Sequence, residues 1–275
     1  MLTMIRHILP LAAAAVLLNA CNDTPAPDER YIPQGSVEIN SKVLIEEFTG
    51  QLCVNCPTAH AEMKRFAEMF GHENIISVSI HGNSGAQMAI PAPAGLGTEE
   101  GAEYNRRNNI ASWPSAIVGR RSGNLESNYG KWLTWIVSDL IRPQQTDIET
   151  DASLSADGQT LSIHTRITSR QNVKADSRLQ LWIVEDDVTG PQLTESGRPD
   201  PTYVHNHVFR AAVNGLDGQP AVPAPKDPVE LTHTISVEPK WNPANLSVVT
   251  ILSSASEGVI GVSRTSITTT DNQNN

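Results

Sequence analysis

Apolar positions change their spacing once along the chain, near residue 143. Before that point, short apolar runs alternate with stretches in which apolar side chains recur every three or four residues, which is the spacing of an amphipathic helix. After that point, apolar and polar residues alternate, as in strands that bury one face. The chain therefore predicts an α/β domain at residues 41–143 and an all-β domain at residues 144–270.

In the first domain, the pattern predicts a strand, a helix and a second strand in the order of a parallel crossover. The predicted elements are strands at residues 43–45, 75–80 and 116–118 and helices at residues 59–70, 98–107 and 132–141. Between the second strand and the second helix, residues 82–97 are rich in glycine, alanine and proline. This composition favours a slack surface loop over a lid beside a site.

In the second domain, the alternation of apolar and polar residues predicts about seven short strands and no helix of convincing length. The candidate strands are residues 148–154, 161–167, 179–183, 203–211, 229–237, 247–252 and 259–267. Glycine, proline and aspartate turns separate them, which is typical of an antiparallel sandwich of the immunoglobulin-like kind.

The N-terminus predicts export and a lipid anchor. Residues 8–18 form an apolar run that is too short to span a bilayer but has the length of a secretory signal core. The run leads into a Leu-Asn-Ala-Cys sequence that resembles the lipobox of bacterial lipoproteins, which implies removal of residues 1–20 and acylation of Cys21. An ordinary signal followed by a chance cysteine is the alternative. Residues 21–40 are proline-rich and predict an extended tether, and residues 271–275 predict a disordered tail.

Charge and cysteine content narrow the classes of function. The 275 residues include 20 basic and 30 acidic side chains, a formal charge of -10, which argues against a sequence-independent nucleic-acid binder. No phosphate-binding loop or other cofactor motif stands out, so no cofactor is predicted. The chain has three cysteines. With Cys21 assigned to the lipid, Cys53 and Cys56 are the two that remain.

Cys53 and Cys56 form a Cys-x-x-Cys pair between a predicted strand and a predicted helix. A helix N-terminus favours the thiolate, so Cys53 is the candidate nucleophile, and Cys56, one turn into the helix, would resolve the mixed disulfide. A structural disulfide is an alternative, although so short a loop restricts the unfolded chain little. Metal binding by Cys56 and His60, four residues apart, is another alternative, but no third protein ligand is evident.

Two further clusters have ordinary explanations. His205 and His207 would share one face of a strand, where polar residues facing solvent are commoner than metal ligands. The acidic run at residues 185–187 lacks the ligand spacing of a calcium loop and favours a solvated strand end. No metal site is therefore predicted.

Three features together resemble the thioredoxin superfamily. They are a buried strand that ends in Glu47, the Cys-x-x-Cys pair that opens a helix, and a Trp113-Pro114 dipeptide before a later strand. The resemblance implies a thioredoxin-like fold for residues 41–143. It also implies that Glu47 lies buried beneath Cys53 and Cys56 and relays a proton, and that Pro114 is a cis-proline that positions the substrate.

The whole-chain layout resembles the twenty-eight-kilodalton outer membrane protein family of Bacteroidetes. The resemblance rests on the lipobox, the Phe-Thr-Gly-Gln-x-Cys-Val-Asn-Cys-Pro stretch, the Trp113-Pro114 strand and the Tyr-Val-His-Asn-His-Val stretch at residues 203–208. It implies a lipoprotein of the outer membrane, facing either the periplasm or the surface.

Two hypotheses of function follow. The first is thiol–disulfide exchange on envelope or surface proteins, with the membrane contacted through the lipid anchor. The second is a non-catalytic binding or adhesion protein that uses the β-sandwich, with Cys53 and Cys56 as a structural disulfide. Fold alone does not decide between them, because function resides in sites.

Overall fold

The computed structural model describes residues 38–121 and 125–269. The predicted signal peptide, Cys21, residues 21–37 of the tether and the tail lie outside these described residues. The helices are α1 Cys56–Phe70, α2 Glu99–Arg107 and α3 Tyr129–Leu140. The strands are β1 Val43–Thr49, β2 Ile75–His81, β3 Ser115–Val118, β4 Leu125–Glu126, β5 Thr146–Leu154, β6 Thr160–Ser169, β7 Arg178–Glu185, β8 Val188–Thr189, β9 Gln192–Leu193, β10 Pro199–Asp200, β11 Val204–His205, β12 Val208–Ala212, β13 Gln219–Pro220, β14 Val229–Ser236, β15 Leu246–Ser254, β16 Gly258–Ser266 and β17 Thr268–Thr269. Two short 3-10 turns, Gly85–Gln87 and Pro243–Asn245, complete the elements.

Local sequence explains the helix boundaries. Pro57 occupies the first turn of α1, where a backbone N–H would have no intrahelical acceptor. The helix ends at Gly71, whose φ of 94° is accessible to glycine at little cost. Thr98 caps α2 by accepting a hydrogen bond from the Gly101 N–H. The helices predicted from the apolar spacing are therefore confirmed, with shifts of a few residues at their ends.

One large mixed sheet runs through both predicted domains. Its strand order is β16-β15-β7-β12-β2-β1-β3-β4, with β13 added beside β7. β1 and β2 are parallel, as a crossover through α1 requires, and β12 is also parallel to β2. The remaining pairs of this sheet are antiparallel.

The expected separate, all-antiparallel sandwich is replaced by a shared sheet. Strands from beyond residue 143 continue the sheet that β1 and β2 begin, because β12 supplies the partner for the otherwise open edge of β2. At this junction the Ser79 N–H donates to the His207 carbonyl at 2.7 Å. A second sheet has the order β14-β6-β5-β17, and β17 is parallel to β5. Over residues 38–121 and 125–269 the result is a β-rich fold with a mixed sheet and three α-helices.

The core lies in layers on both faces of the large sheet. On one face, α1 and α3 pack over the β1 side chains Val43 and Ile45. The same face carries the small sheet, which covers alternate residues of β7 and β15. On the opposite face, Leu44 and Phe48 of β1 join Trp182 of β7 and Tyr104 of α2. Because β1 is covered on both faces, all seven of its residues are buried, including two glutamates.

The first of these glutamates forms a buried ion pair that joins the two parts of the chain. Arg120 donates to both carboxylate oxygens of Glu46 at 2.8–3.1 Å. The Tyr104 hydroxyl donates to the same carboxylate at 2.8 Å. Arg120 also contacts Gln180 of β7 and donates to Ser253 of β15 at 3.2 Å. Burial alone would lower the pKa of Arg120, but the Glu46 charge and hydrogen bonds raise it above its ordinary value.

No helix among the described residues has the length and apolar character needed to cross a membrane.

Candidate redox site

Cys53 and Cys56 are joined by a disulfide at the junction between β1 and α1. Cys56 is the first residue of α1, and Cys53 lies in the preceding turn. Cys53 is 5% exposed and Cys56 is 0% exposed. The resolving position is therefore the deeper of the two, but the predicted nucleophile also lies mostly below the surface.

Two buried glutamine side chains hold the backbone of the Cys-x-x-Cys turn. The Gln192 amide donates to the carbonyls of Gly50 and Cys53 at 3.2 and 2.9 Å. The Gln51 amide donates to the Pro191 and Ala94 carbonyls at 2.9 and 3.1 Å. The turn is thus covered by a segment that lies about 140 residues later in the sequence.

The loop at residues 82–97 forms the other wall of the turn. The Leu52 N–H donates to the Met88 carbonyl at 2.8 Å, and the Leu96 N–H donates to the Gln51 side-chain oxygen at 2.9 Å. The expectation of a slack surface loop is therefore wrong. Leu52, Val54 and Met88 leave exposed apolar side chains around Cys53.

Pro114 precedes β3 and is buried. The Trp113-Pro114 peptide bond is cis. The antiparallel register pairs Ser115 with Phe48, so Pro114 lies beside the end of β1, where the Cys-x-x-Cys turn begins. Chain order and sheet register therefore bring this proline to the disulfide end of the sheet.

Glu47 faces α1, because alternation along β1 puts it on the same side as Val43 and Ile45. Its side chain is fully buried, and one oxygen accepts a hydrogen bond from the Ser79 hydroxyl at 3.1 Å. The other oxygen lies 3.3 Å from His60 Nε2 and has no hydrogen bond of good geometry within the described ranges. Burial raises the pKa of Glu47 to about 8, against smaller opposing contributions from Ser79 and the charge of His207.

His60 links Glu47 to residues at the other end of the sequence. Its Nε2 atom is 2.9 Å from the Thr49 hydroxyl, and its Nδ1 atom is 2.8 Å from the Tyr203 hydroxyl. Burial lowers the pKa of His60 to about 4, and the charge of His207 lowers it further. The contacts of His60 are therefore with oxygen atoms, which gives the metal alternative for Cys56 and His60 no support.

Two more histidines pack beside His60. The ring of His205 lies 6.4 Å from that of His60, 5.6 Å from that of His81 and 4.8 Å from that of Tyr203, measured between ring centroids. Burial lowers the pKa of His205 to about 4 and that of His81 well below its ordinary value. In the described part of the chain, no three His, Cys, Asp or Glu side chains are placed to bind one metal ion.

Two sequence predictions about this region are wrong. His205 and His207 do not share a solvent face, because β11 ends at His205 and the positive φ of His207 turns the chain before β12 begins. His205 is buried, whereas His207 pairs with Asp186 at 3.0 Å. Glu185, expected at a solvated strand end, is buried in an ion pair with Arg210 at 2.7 Å.

A cleft of about 420 Å³ opens beside α1. His60 and Tyr203 line it together with Ser79 and His207. Met63 and Ala67 of α1 form its apolar wall. The contact between His60 and Tyr203 therefore lies at the boundary between the buried acid and an open cavity.

Glu47, Cys53, Cys56 and Pro114 were predicted from the sequence as site residues, but the residues that complete their surroundings were not. These are Gln51, Ser79, His81, Gln192 and Tyr203. Ser79 and His81 lie in a strand that was identified, and their polar character within an apolar run was the available signal. Gln192 has no local signal, because only the tertiary fold brings it to the turn.

The fold and the site define a class of protein: a β-rich chain with a mixed sheet, whose disulfide opens the helix after the first strand. This fold is similar to that of HBP35 of Porphyromonas gingivalis, with a TM-score of 0.63, 13% sequence identity, and coverage of 84% of this chain and 77% of that chain. Residues 102–271 match the model of the outer membrane protein Omp28 family, and the chain belongs to that family.

A second solved structure carries the same family name. It is a domain of the outer membrane lipoprotein Omp28 from Porphyromonas gingivalis, 22% identical, with a TM-score of 0.35 and coverage of 46% of this chain and 89% of that chain. No curated protein matches the chain. Family membership confirms the resemblance drawn from the sequence and places the protein in the outer membrane of the cell envelope.

Proposed function

We propose that this protein is a thiol–disulfide oxidoreductase of the outer membrane that acts on envelope proteins. In this proposal residues 41–143 form a thioredoxin-like part of the fold, and the β-rich residues 144–270, which share its sheet, cover the site and meet the partner. Cys53 attacks, Cys56 resolves, Glu47 takes up and releases a proton, and Pro114 positions the substrate. Cys21 carries the lipid that holds the protein at the membrane.

One observation carries the proposal. Cys53 and Cys56 are bonded at a helix N-terminus, and the neighbouring strand presents Glu47 to the same helix with a pKa near neutrality. A carboxyl group that changes its charge near pH 8 suits the deprotonation of a thiol. A disulfide needed for stability alone gives no reason to bury an acid without a cation beside it.

The reaction transfers two electrons. The Cys53 thiolate attacks a partner disulfide, forms a bond to one partner sulfur and releases the other, which takes a proton from water. The Cys56 thiol then gives its proton to the Glu47 carboxylate and attacks Cys53. The Cys53–Cys56 bond forms, the bond from Cys53 to the partner breaks, and the second partner sulfur leaves and is protonated. The partner is reduced and the pair is oxidised.

The exposed apolar side chains of Leu52, Val54 and Met88 around Cys53 favour an extended or unfolded polypeptide as the substrate. Because only 5% of Cys53 is exposed in the oxidised state, access to its sulfur requires a local movement of the turn or of the segments that hold it.

Thiol trapping in envelope extracts tests this function. Cys56→Ser should accumulate mixed disulfides with partner proteins, because the first attack proceeds and resolution fails. The matched Cys53→Ser variant should accumulate none. A folded, reduced wild-type protein that exchanges with no disulfide would contradict the proposal.

The second candidate is binding or adhesion through the β-rich residues 144–270, with a structural disulfide. The hydrogen bonds of Gln51 and Gln192 that fix the Cys-x-x-Cys turn favour this candidate, because they restrain the backbone around Cys53. A Cys53→Ser, Cys56→Ser double variant that keeps full cellular function would support it. A reduction potential above that of typical structural disulfides would argue against it.

A further inference from the structure

A continuous chain of polar contacts leads from the buried acid to the cleft beside α1. Glu47 Oε1 lies 3.3 Å from His60 Nε2, although the two atoms are not aligned for a hydrogen bond, and His60 Nδ1 lies 2.8 Å from the Tyr203 hydroxyl. His60 and Tyr203 both line the cleft. Tyr203 comes 143 residues after His60 in the sequence, so the last member of this chain is contributed by the distant part of the fold.

We infer that His60 and Tyr203 form a proton path between Glu47 and the solvent of the cleft. This inference rests on the proposed function, in which Glu47 must lose a proton before it can accept one from Cys56. Glu47 exchanges the proton with Cys56 in the proposed reaction. His60 and Tyr203 act only through Glu47, so they are positioning residues.

The other neighbours of Glu47 offer poorer routes. Ser79 donates to the second carboxylate oxygen and lines the cleft, but only 3% of it is exposed, and the buried Thr49 hydroxyl contacts His60 Nε2 and not Glu47. The His60 side chain is 17% exposed, whereas that of Glu47 is 0% exposed. Among these contacts of Glu47, His60 therefore reaches farthest toward solvent.

The imidazole can pass a proton without keeping a charge. With the ring proton on Nδ1, His60 donates to the Tyr203 oxygen, and its unprotonated Nε2 faces both the Thr49 hydroxyl at 2.9 Å and the Glu47 carboxyl at 3.3 Å. Glu47 then gives its proton to Nε2, Nδ1 gives its own proton to Tyr203, and the Tyr203 hydroxyl proton passes to water. No bond other than those to hydrogen changes, and the histidine ends as the other neutral tautomer.

The charges around this path favour the neutral ring. His81 of β2, His205 of β11 and His207 before β12 face His60 or its neighbours, and Lys64 and His72 lie at the cleft. A lasting positive charge on His60 would be repelled by the basic groups among them and would be poorly solvated. A transient transfer through a neutral ring avoids both costs.

Infrared spectroscopy after a rapid pH increase tests the path without any disulfide substrate. The band of the protonated Glu47 carboxyl, assigned by its loss in Glu47→Gln, should decay about ten-fold more slowly in Tyr203→Phe than in the wild type. Tyr129→Phe makes the same chemical change on α3, outside the path, and should decay at the wild-type rate. Equal decay rates in the wild type and Tyr203→Phe would overturn the inference.

Exchange with oxidised glutathione gives a second readout. The step in which Cys56 resolves the mixed disulfide should slow about ten-fold at pH 7 in Tyr203→Phe and in His60→Ala, and added imidazole should restore the rate in His60→Ala. A slow variant that imidazole does not rescue would show a structural role and contradict the path. If the wild type does not react at all, the proposed function fails, and the infrared decay still decides whether the proton path exists.

Discussion

Two adjacent glutamates of β1 show opposite ways of burying a carboxyl group. Glu46 and Glu47 are both fully buried, but they face opposite sides of the sheet. Glu46 meets the guanidinium of Arg120 and the hydroxyl of Tyr104. Glu47 meets a serine hydroxyl and an imidazole that burial keeps neutral.

The difference separates a structural acid from a titratable one. A buried carboxylate with a paired cation remains charged and fixes the elements that supply its partners. A buried carboxyl without a cation has its pKa raised toward neutrality and can change its charge under ordinary conditions. One residue of displacement along a strand therefore decides whether the group holds the fold together or exchanges a proton.

The largest effect is expected on the Glu46 face. Arg120→Ala should lower the free energy of unfolding by about 3–5 kcal/mol, because it leaves the buried Glu46 carboxyl without its cation in the core. Urea denaturation at pH 7 measures this loss. Arg121→Ala removes a guanidinium that is also mostly buried, next to Asp139, and serves as the matched comparison. A loss below about 1 kcal/mol in Arg120→Ala would remove the distinction between the two faces.

The stability of Glu47→Gln relative to the wild type should depend on pH. The folded pKa of Glu47, about 8, lies above its ordinary value of 4.5, so the wild type is most favoured below pH 4.5 and loses stability as the pH rises through 8. The variant lacks this titration. Its stability relative to the wild type should therefore improve on the order of 3 kcal/mol between pH 5 and pH 9, measured by urea denaturation. A difference that does not vary with pH would mean that Glu47 is already ionised in the folded protein.

The histidines near Glu47 should make this face sensitive to acid. The pKa of His205 is about 4 in the folded protein, below its ordinary value of 6.5, so its contribution is complete above pH 6.5 and is lost as the pH falls through 4. His205→Leu should reduce the loss of stability between pH 7 and pH 4.5 by about 2 kcal/mol in thermal or urea unfolding. His164→Leu, at an exposed position of β6, should leave the loss unchanged. Equal changes in the two variants would place the acid sensitivity elsewhere.

The smallest effect concerns the hydroxyl on Glu46. Tyr104→Phe should cost about 1 kcal/mol, because Arg120 still pairs with the carboxylate after one hydrogen bond is removed. The shift in the urea midpoint at pH 7 measures it, with Tyr129→Phe as the control. A cost as large as that of Arg120→Ala would show that the tyrosine, and not the ion pair, secures Glu46.

The features that could be predicted from the sequence are those that depend on residues close together in the chain. The apolar spacing at residues 59–70 predicts α1, and the apolar runs before and after it predict β1 and β2. All three elements lie within one short stretch of chain. Cys53 and Cys56 follow from the same stretch. Pro114 and Glu47 were predicted through the resemblance to the thioredoxin superfamily, and the register of β3 on β1 puts both near the same end of the sheet.

The remaining features depend on contacts between distant residues. Nothing local in β12 indicates that it pairs with β2, and short strands such as β9 have no periodicity to detect. Glu46 pairs with Arg120 across 74 positions, and His60 meets Tyr203 across 143. The alternating pattern at residues 203–211 predicted one strand. The positive φ of His207 interrupts this strand, and the His205 side chain is buried in the core.

The late position of Gln192 and Tyr203 has a consequence for the order of synthesis. A growing chain that has emerged only as far as residue 143 already contains both cysteines and the acid of β1, but neither the amide that covers the turn nor the hydroxyl that meets His60. During export the thiols therefore emerge long before their final surroundings. The surroundings of Cys53 and His60 are complete only after about three quarters of the chain has been made and folded.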